Sequence, residues 1–535
     1  MKVYTAAQIR AWDAYTIAHE PISSLHLMER AAQACCHWIT TNFPLKGKVY
    51  YIFCAKGNNG GDGLALARLL LERHIPVLVH ILEFGHKGTE DFQTNLSRLH
   101  PLTPDITYIQ GEEAFPVLPE NAIVIDALLG SGLNRPLEGL TAALVGFLNA
   151  SRRPILALDL PSGLRADEPS EGGPIVQAVH TLTLGAYKLG LLLAENAPYF
   201  GEVHLLPIGL DPEYEDDTYG PLQVVEPSLV HHYYIPRSSF SHKGTFGHAL
   251  LVAGGEGKMG ACILGARSCL RSGVGLLTVL VPPAQLPIVQ TAVPEAMALT
   301  DVAAVKAPAY KAFGIGPGIG TDDTALETLN RVLALAAPPA EAAGSSAKPG
   351  APAKPGAPAL GAADGEPPAP GPTGVPLVLD ADALNLLGAH PELWDKVPPY
   401  SILTPHPKEF ERLFGPAASD FDRLSMALDQ AGAHRCVIVL KGHRTFVACP
   451  DGSGYFNMTG NAGMATGGSG DVLTGLLTGL LAQGYPSQRA AVLGVYLHGL
   501  AGDLALEDES MESLLASGIV DGLGKAFKHL ASEPR

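Results

Sequence analysis

The first part of the chain alternates short apolar runs with stretches of helical periodicity. Between residues 5 and 19 apolar side chains recur at helical spacing, and Thr5 is placed to cap that helix. A second helical run covers residues 64–73. The candidate strands, rich in β-branched and aromatic residues, are 48–54, 76–82, 122–125, 154–158, 181–184 and 203–206. Strands that alternate with helices predict a mostly parallel sheet covered by helices on both faces.

A second series of the same kind follows. Its candidate strands are 249–253, 276–281, 312–315, 377–379, 402–404 and 437–440. The acidic, turn-rich stretch at 211–226 separates the two series and has little periodicity. The pattern therefore predicts an α/β protein of two domains, 1–220 and 221–535.

One segment interrupts the second series. Residues 336–374 contain 13 Ala, 10 Pro and 7 Gly, with Leu360 as the one bulky aliphatic residue. Such a stretch buries too little apolar surface to offset the entropy of ordering it, which predicts disorder. It has the composition of an interdomain linker. We favour a surface insertion within the second domain, because the flanking GPGIG and LDADAL sequences are typical of one continuous sheet.

Composition excludes several classes of protein. The 535 residues carry 36 basic and 53 acidic side chains, a net charge of −17, which disfavours nucleic-acid binding. Seven cysteines without a CxxC pair do not indicate a disulfide or zinc framework, so we interpret them as buried thiols. Neither a signal peptide nor an apolar run of about 18 residues is visible, and we predict a cytoplasmic protein without a membrane span.

Polar residues follow the strands of the first series. The sequence CAKGNNGGDG at 54–63 is a glycine-rich turn whose asparagines and Asp62 supply hard oxygen ligands. Asp126 and Asp159 lie at the ends of two further strands. Each alone is typical of a capping residue. Because ligands of open α/β sheets bind beyond the carboxyl ends of strands, the three together predict one binding crevice.

The densest glycine run, GNAGMATGGSGDVLTG at 460–475, leads into a predicted helix starting near Asp471. Successive amides at a helix N-terminus favour an anion. Asp471 either complements the helix dipole or activates a hydroxyl for phosphoryl transfer. The run departs from GxSxG, which disfavours a serine hydrolase. Lys441 and Arg444 suit a nucleotide phosphate, and His406, between two prolines, is equally compatible with a rigid turn and a ligand contact.

Three classes of function are alternatives for a protein with these motifs. A Rossmann dehydrogenase would need GxGxxG followed by an acidic residue about 20 positions on, which residues 54–63 do not match. A small-molecule kinase would accumulate a phosphorylated product. A nucleotide-binding module would bind without turnover.

With these motifs in view, the chain resembles the family of bifunctional NAD(P)HX repair enzymes. LMERAA at 27–32, GNNGGDG and DALLGSGLNRPLEG are similar to the epimerase part of that family. SHKGTFGHALLVAGG, MGACILGA, GPGIG, LDADALN, LTPHPKEF, LKGHRT and NAGMATGGSGDVLTG are similar to its dehydratase part. The family commonly has proline where this chain has Ala462. The resemblance implies an N-terminal Rossmann-like three-layer sandwich with epimerase activity and a C-terminal ribokinase-like α/β domain with ADP- or ATP-dependent dehydratase activity.

The resemblance also implies site residues. The hydrated cofactor would contact Asn58, Asn59, Gly60, Gly61, Asp62, Gly130, Ser131, Gly132, Leu133, Asn134, Arg135, Pro136 and Asp159 in the first domain. In the second domain it would contact Ala261, Gly318, His406 and Asp471. The adenine nucleotide would contact Lys441, Gly442, His443, Arg444, Thr445 and Gly470. Potassium would be coordinated by Asn59, Asp126 and Ser162.

The implied chemistry is repair of hydrated nicotinamide nucleotides. The first domain would interconvert the R and S forms of NADHX and NADPHX, with Asp159 as candidate acid or base. The second would phosphorylate the C6 hydroxyl of the S hydrate, using ADP or ATP with Mg²⁺, and eliminate phosphate, with Asp471 as the base. The expected partners are these small molecules and other copies of the chain.

Overall fold

The computed structural model describes residues 1–44, 46–85, 87–337 and 374–532. Most of the alanine- and proline-rich insertion predicted at 336–374 lies outside the described residues. The chain divides into two compact units. The first consists of Met1–Leu222 and Ser419–Phe421, and the second of Gln223–Ala418 and Asp422–Arg535.

The first unit alternates strands and helices in the predicted manner. Its elements are α1 (Ala6–His19), α2 (Ser24–Asn42), β1 (Val49–Cys54), α3 (Asn58–Leu71), β2 (Val77–Leu82), α4 (Glu90–Leu99), β3 (Ile106–Ile109), β4 (Ala122–Ala127), α5 (Gly139–Ala150), β5 (Ile155–Leu158), β6 (His180–Leu184), α6 (Ala197–Phe200), β7 (Glu202–Leu206) and α7 (Pro212–Asp217). The short strand β3 was not predicted, and α7 gives the stretch at 211–226 a helical turn that its weak periodicity did not indicate.

The strands form a parallel sheet in the order β3-β2-β1-β4-β5-β6-β7. Successive residues of β1 point to opposite faces, and each face has its own buried cluster. Ile52 packs with residues of α2 and α3, and Phe53 packs with residues of α5. The prediction of a parallel sheet covered on both faces is confirmed.

Helix α3 begins earlier than predicted. The sequence pattern placed its start at residue 64, whereas the glycine-rich sequence itself forms the first turns from Asn58, after Gly57 as N-cap. The reason is close packing. A Cβ atom at Gly60 would overlap the carbonyl oxygen of Ala55, so a glycine lets the helix start directly against the end of β1. Asn58, Asn59 and Asp62 are therefore helical residues rather than loop residues.

The second unit repeats the α/β pattern on a larger scale. Its elements are β8 (Leu222–Val224), α8 (Pro227–Tyr233), β9 (His248–Val252), α9 (Met259–Arg271), β10 (Leu276–Leu280), α10 (Leu286–Ala292), β11 (Met297–Leu299), β12 (Ala312–Ile315), α11 (Asp323–Ala336), β13 (Leu377–Leu379), α12 (Ala381–Ala389), β14 (Ile402–Leu403), α13 (Pro407–Phe414), α14 (Asp420–His434), β15 (Val437–Leu440), β16 (Phe446–Ala448), β17 (Gly454–Phe456), α15 (Ser469–Ala482), α16 (Ser487–Ala505) and α17 (Ala516–Ser532).

The second sheet has the order β11-β10-β9-β12-β13-β14-β15-β16-β17-β8. The pairs from β11 to β15 are parallel, and β16 pairs antiparallel with both β15 and β17. The largely apolar helix α15 packs against α9, where the Ser268 hydroxyl donates a hydrogen bond of 2.6 Å to the carbonyl of Val472. This packing fixes the start of α15, which carries the candidate base. Among the described residues, no helix is long and apolar enough to span a membrane.

Removing residues 338–372 and joining the ends by a short Gly/Ser link is expected to leave the fold intact. The two described ends already meet, because the backbone amide of Val375 donates a 2.9 Å hydrogen bond to the carbonyl of Ala336. Loop closure costs only about 0.6 kcal/mol per doubling of length, so a shorter connection does not destabilise the unit. Thermal unfolding followed by circular dichroism should give an unchanged or slightly higher Tm. Insoluble protein would assign the segment a structural role.

Candidate active sites

Two carboxylates and a serine lie at the carboxyl ends of the strands of the first sheet. Asp126, near the end of β4, is fully buried and accepts hydrogen bonds from the backbone amide of Ser162 at 2.7 Å and the Ser162 hydroxyl at 2.6 Å. Burial raises the pKa of Asp126 to about 6, and the hydrogen bonds from Ser162 and Leu128 limit that rise. This buried oxygen-rich corner includes two of the predicted potassium ligands.

Asp159 follows β5 and forms an ion pair with a lysine that the sequence analysis did not single out. The Nζ atom of Lys188 lies 2.5 Å from its Oδ1 atom, and the lysine side chain is only 1 % exposed. Lys188 also donates to the Thr183 hydroxyl at 3.0 Å and to the carbonyl of Leu184 at 2.7 Å. Burial alone would raise the pKa of Asp159, but Lys188 lowers it below its usual value. Asp159 is thus held as a carboxylate.

The backbone of Asp159 is in the left-handed region, with φ +64°. This conformation is uncommon for a residue other than glycine and is best tolerated by asparagine and aspartate. Its Oδ2 atom accepts a 3.1 Å hydrogen bond from the backbone amide of Ser131. The strained turn therefore aims the carboxylate at the loop that begins at Gly130.

The side chain of Asn59, in the first turn of α3, lies near the Asp159 carboxylate and Gly130. A Cβ atom added to Gly130 would lie 3.0 Å from Oδ2 of Asp159 and 3.5 Å from the amide carbon of Asn59. Both side-chain polar atoms of Asn59 are buried, with no hydrogen-bond partner among the described residues. An unsatisfied buried amide costs free energy unless a ligand contacts it. Asn59 is the strongest indication of a bound group in this unit.

Further carboxylates surround Asp159. The pKa of Asp62 is raised well above its usual value by burial and by the negative charges of Asp159 and Asp13. Asp13, on α1, was not predicted as a site residue. Burial and the negative charge of Asp159 raise its pKa to about 6, while Lys188 opposes that rise. The lysine and the three carboxylates form one interacting set of titratable groups.

The remaining predicted contacts of the first unit lie at the start of α3 and in the loop at 130–136. They differ in their exposure to solvent. Gly60 and Gly61 are buried in α3 and Asn58 is exposed at its start. Residues 130–136 form a loop in which the amide of Leu133 donates a 3.3 Å hydrogen bond to the carbonyl of Gly130. In that loop Ser131, Leu133 and Pro136 are partly buried, and Gly132, Asn134 and Arg135 are exposed.

In the second unit a buried aspartate joins a lysine to the start of α15. Asp380 is 1 % exposed and accepts hydrogen bonds of 2.7 Å from Lys441 Nζ and from the Thr474 hydroxyl. A Cβ atom added to Gly470 would lie 3.4 Å from Lys441 Nζ. The lysine ammonium therefore lies beside the N-terminal turn of α15, whose backbone N–H groups lack intrahelical partners. A cation beside free amides is a site for an anion.

Asp471 lies in that same turn. Burial and the negative charge of Asp380 raise its pKa to about 6, while Lys441 opposes the rise. Burial alone would lower the pKa of Lys441, but Asp380 and Glu409 raise it above its usual value. The lysine is therefore charged near neutral pH, and Asp471 changes protonation state close to pH 6. A carboxylate with this pKa next to an anion site has the properties of a general base.

His406 caps helix α13 and contacts the same charged group. Its Nδ1 atom accepts from the backbone amides of Lys408 at 3.1 Å and Glu409 at 3.3 Å. Its Nε2 atom lies 3.4 Å from Oε1 of Glu409, whose Oε2 is 3.8 Å from Lys441 Nζ. His406 thus shapes a rigid helix start, one of the two roles that the sequence left open, and its contact with a ligand remains a prediction.

The other predicted contacts of the second unit lie on helix α9 and on two loops. Gly318 packs on Ala261 and Lys258, since a Cβ atom there would lie 3.5 Å from Cβ of Ala261 and 3.1 Å from Cβ of Lys258. The loop after β15 contains Lys441 to Thr445, and the Thr445 hydroxyl donates a 3.1 Å hydrogen bond to the carbonyl of Gly442. In that loop Gly442 and His443 are exposed, and Lys441, Arg444 and Thr445 are partly buried.

Several supporting residues were not predicted from the sequence. His498, in the middle of α16, is close enough for its Nε2 atom to donate a 3.0 Å hydrogen bond to the carbonyl of Ser469, and burial lowers its pKa to about 4. Asp503 accepts hydrogen bonds from Gly460 and Asn461. No local motif marks these two residues. Lys188 could have been predicted, because it follows the carboxyl end of β6, just as Asp126 and Asp159 lie at the carboxyl ends of β4 and β5.

Comparison with known proteins agrees with this division of the chain. Residues 24–190 match the family described as YjeF-related protein N-terminus, and residues 249–340 and 372–524 match the family described as NAD(P)H-hydrate dehydratase. A bifunctional NAD(P)H-hydrate repair enzyme of Moorella thermoacetica is 34 % identical over 100 % of this chain and 98 % of its own length. The chain belongs to the family of bifunctional NAD(P)H-hydrate repair enzymes.

Other members of this repair-enzyme family show similar coverage. The enzyme of Coxiella burnetii is 33 % identical over 97 % of each chain, and that of Escherichia coli is 30 % identical over 93 % of this chain and 88 % of its own. Among solved structures, the ADP/ATP-dependent NAD(P)H-hydrate dehydratase of Bacillus subtilis, co-crystallised with ATP/Mg²⁺, is 29 % identical. It covers 58 % of this chain and 98 % of its own, with a TM-score of 0.45.

Proposed function

We propose that the chain repairs hydrated nicotinamide nucleotides in two steps, each carried out by one unit. The first unit interconverts R and S NADHX and NADPHX. The second dehydrates the S hydrate to NADH or NADPH with ADP or ATP. Family membership supports this proposal, and the observation that carries it is the position of Asp471 beside Lys441 at the start of α15.

Dehydration requires the site to stabilise the transferred phosphoryl group and to deprotonate the attacking hydroxyl. The transferred phosphoryl group is anionic, and the start of α15 together with Lys441 offers it amides and a positive charge. The C6 hydroxyl must lose its proton as it attacks, and Asp471 accepts that proton. Phosphate then leaves C6 as the neighbouring C5 releases a proton to solvent, which restores the C5–C6 double bond of the dihydropyridine ring. Gly470 and residues 441–445 are assigned to the nucleotide, and Ala261, Gly318 and His406 to the hydrated cofactor.

For epimerisation, Asp159 is the proposed acid or base and Lys188 keeps it ionised between turnovers. The asparagines of α3 and the loop at 130–136 are assigned to the hydrated cofactor. This arrangement supports proton transfer because the carboxylate projects from a strained turn that the ion pair holds in place.

The residues fit the two metal ions differently. Asn59 presents a buried amide oxygen with no partner among the described residues, and Asp126 and Ser162 add buried oxygens. This donor set suits potassium, a hard cation, which would supply a fixed positive charge for the bound hydrate. Mg²⁺ neutralises nucleotide phosphates and is generally held by them more than by protein ligands, so it is assigned to the nucleotide.

The second candidate is a small-molecule kinase fused to a nucleotide-binding unit, since the Lys441–Asp380 pair and the start of α15 suit phosphoryl transfer in general. The two proposals differ in their products. In a mixture of epimeric NADHX with ADP or ATP, repair releases free phosphate and restores the absorbance of NADH at 340 nm. A kinase instead accumulates a phosphorylated compound. Recovery of NADH from both epimers with ADP or with ATP is the expected result, and no recovery with both nucleotides contradicts the proposal.

Replacing potassium with N-methylglucamine is expected to slow loss of the R epimer and to leave consumption of the S epimer unchanged. The reason is that the proposed potassium ligands all belong to the first unit. Chromatographic separation of R and S hydrates over time measures both rates. Equal rates in the two salts would remove potassium from the proposal.

The cytoplasmic location and the self-association expected from the sequence remain predictions.

A further inference from the structure

Two histidines and a glutamate form a cluster on strands β6 and β7 of the first sheet. His180 is the first residue of β6 and lies in register with Glu202, the first residue of β7, while His204 lies two residues further along β7. Residues two apart on a strand share a face, so all three side chains project from the same side of the sheet. The register of β4 with β5 and of β5 with β6 places His180 level with Ile125, so the cluster is separated from Asp126 mainly across the sheet, by two strand spacings or about 10 Å from β4 to β6.

The three side chains approach one another closely. Nδ1 of His180 lies 3.0 Å from Nε2 of His204, and Oε2 of Glu202 lies 3.5 Å from the first and 3.8 Å from the second. Around a tetrahedral zinc ion with bonds of about 2.0–2.2 Å, neighbouring ligand atoms are about 3.3–3.6 Å apart. The three measured distances therefore lie within a few tenths of an ångström of the spacing expected for three ligands of one ion.

Aromatic side chains hold the two imidazoles in place. The ring centroid of Trp38 lies 4.5 Å from that of His204 and 5.3 Å from that of His180, and Phe43 lies 5.6 Å from His180. The histidine side chains are 24 % and 20 % exposed, while Glu202 is 69 % exposed. Ligand groups that are already ordered bind a metal at a lower cost in entropy. The open side next to Glu202 leaves room for water as a further ligand.

We propose that His180, His204 and Glu202 bind one divalent transition-metal ion of the zinc type. Two imidazoles and one carboxylate are a ligand set found for zinc, and imidazole also suits copper, nickel and iron. The ion joins the edge strand β7 to β6 beneath helix α2. It stabilises the first unit, and none of its three ligands is among the residues assigned to either proposed reaction.

The test uses full-length protein without a histidine tag and titrates Zn²⁺ against a chromophoric chelator. Wild type should bind one equivalent that His204→Gln and Glu202→Gln do not. Loss of a supporting partner of a metal ligand already weakens affinity 10- to 100-fold, so loss of a ligand is expected to cost at least 100-fold. His37→Gln, an exposed histidine of α2, is the matched control and should bind as wild type does.

Trp38 provides a second measurement. Co²⁺ should bind with the visible absorption of a tetrahedral site and quench tryptophan fluorescence, and Trp38→Phe should remove the quenching while the absorption persists. Zn²⁺ should raise the Tm of wild type and not that of Glu202→Gln, whose exposed side chain is not needed for folding. Weak Zn²⁺ binding by wild type, or equal affinity in Glu202→Gln and wild type, would show that the three residues are only a hydrogen-bonded cluster.

Discussion

Replacing Asp471 with asparagine is expected to abolish dehydration and to leave epimerisation intact. The amide has nearly the same size but cannot accept the hydroxyl proton, and general-base catalysis typically contributes about 10²–10⁴-fold. Nucleotide binding should survive, because Gly470 and the Lys441–Asp380 pair are unchanged. NADH recovery from pure S hydrate measures the loss, and interconversion of the epimers without nucleotide measures the activity that remains.

The pH profile of dehydration checks the same assignment. Asp471 has a pKa raised to about 6 by burial and by Asp380, and a base works only when it is deprotonated. The wild-type rate should therefore be constant above about pH 7 and fall about tenfold per pH unit well below pH 6. The residual rate of Asp471→Asn should lack this dependence.

The alternative is that Asp471 only complements the dipole of α15, an effect of about 0.3–1 kcal/mol on stability. Asp322→Asn is the matched control, because Asp322 is an aspartate at the start of another helix, where it caps the amide of Ala325 at 2.9 Å. Asparagine is an equally good cap, so this variant should keep full dehydration. Wild-type turnover in Asp471→Asn would remove Asp471 from the mechanism.

Much of the fold could be predicted from the sequence because its strands are short runs of branched apolar residues between helices. The strands that were missed illustrate the limits of that signal. β8, β11, β16 and β17 have three residues each and β3 has four, too few for periodicity alone to distinguish them from turns. The start of α3 was misplaced because glycines favour turns in general, and here tertiary packing against β1 makes them helical.

In the candidate sites, too, local sequence patterns predict some residues, whereas contacts made by tertiary packing could not be predicted. Asp126 and Asp159 could be predicted because each stands where a strand ends. The ion pair of Asp159 with Lys188 joins residues of different strand ends, and its burial is a property of the folded sheet. His498 and Asp503 lie on helix α16. Helix packing brings His498 to the start of α15 and Asp503 to the loop that precedes it. Likewise, the cluster around His180 depends on the register of β6 with β7.

Replacing Asp159 with asparagine is expected to give the opposite phenotype, in which epimerisation is lost and dehydration is kept. Asparagine is preferable to alanine here for two physical reasons. It tolerates the left-handed backbone of this residue, φ +64°, and its amide oxygen can still accept from Lys188. Alanine would leave the ammonium of Lys188 buried without a carboxylate, at a cost of about 3–5 kcal/mol, and would confuse loss of folding with loss of catalysis.

In an epimeric mixture with ADP or ATP, this variant should consume the S fraction quickly and leave the R fraction to decay at the spontaneous rate. The proposed dehydratase takes the S hydrate, so R must first be converted by the first unit. Adding Asp471→Asn protein, which retains epimerisation, should restore consumption of R in the mixture of variants. Asp167→Asn is the matched control, because Asp167 is a structural aspartate that accepts a 2.9 Å hydrogen bond from the amide of Ala6. Chromatography of R and S over time decides the outcome: if Asp159→Asn clears R as fast as wild type does, Asp159 is a turn residue and not the acid or base.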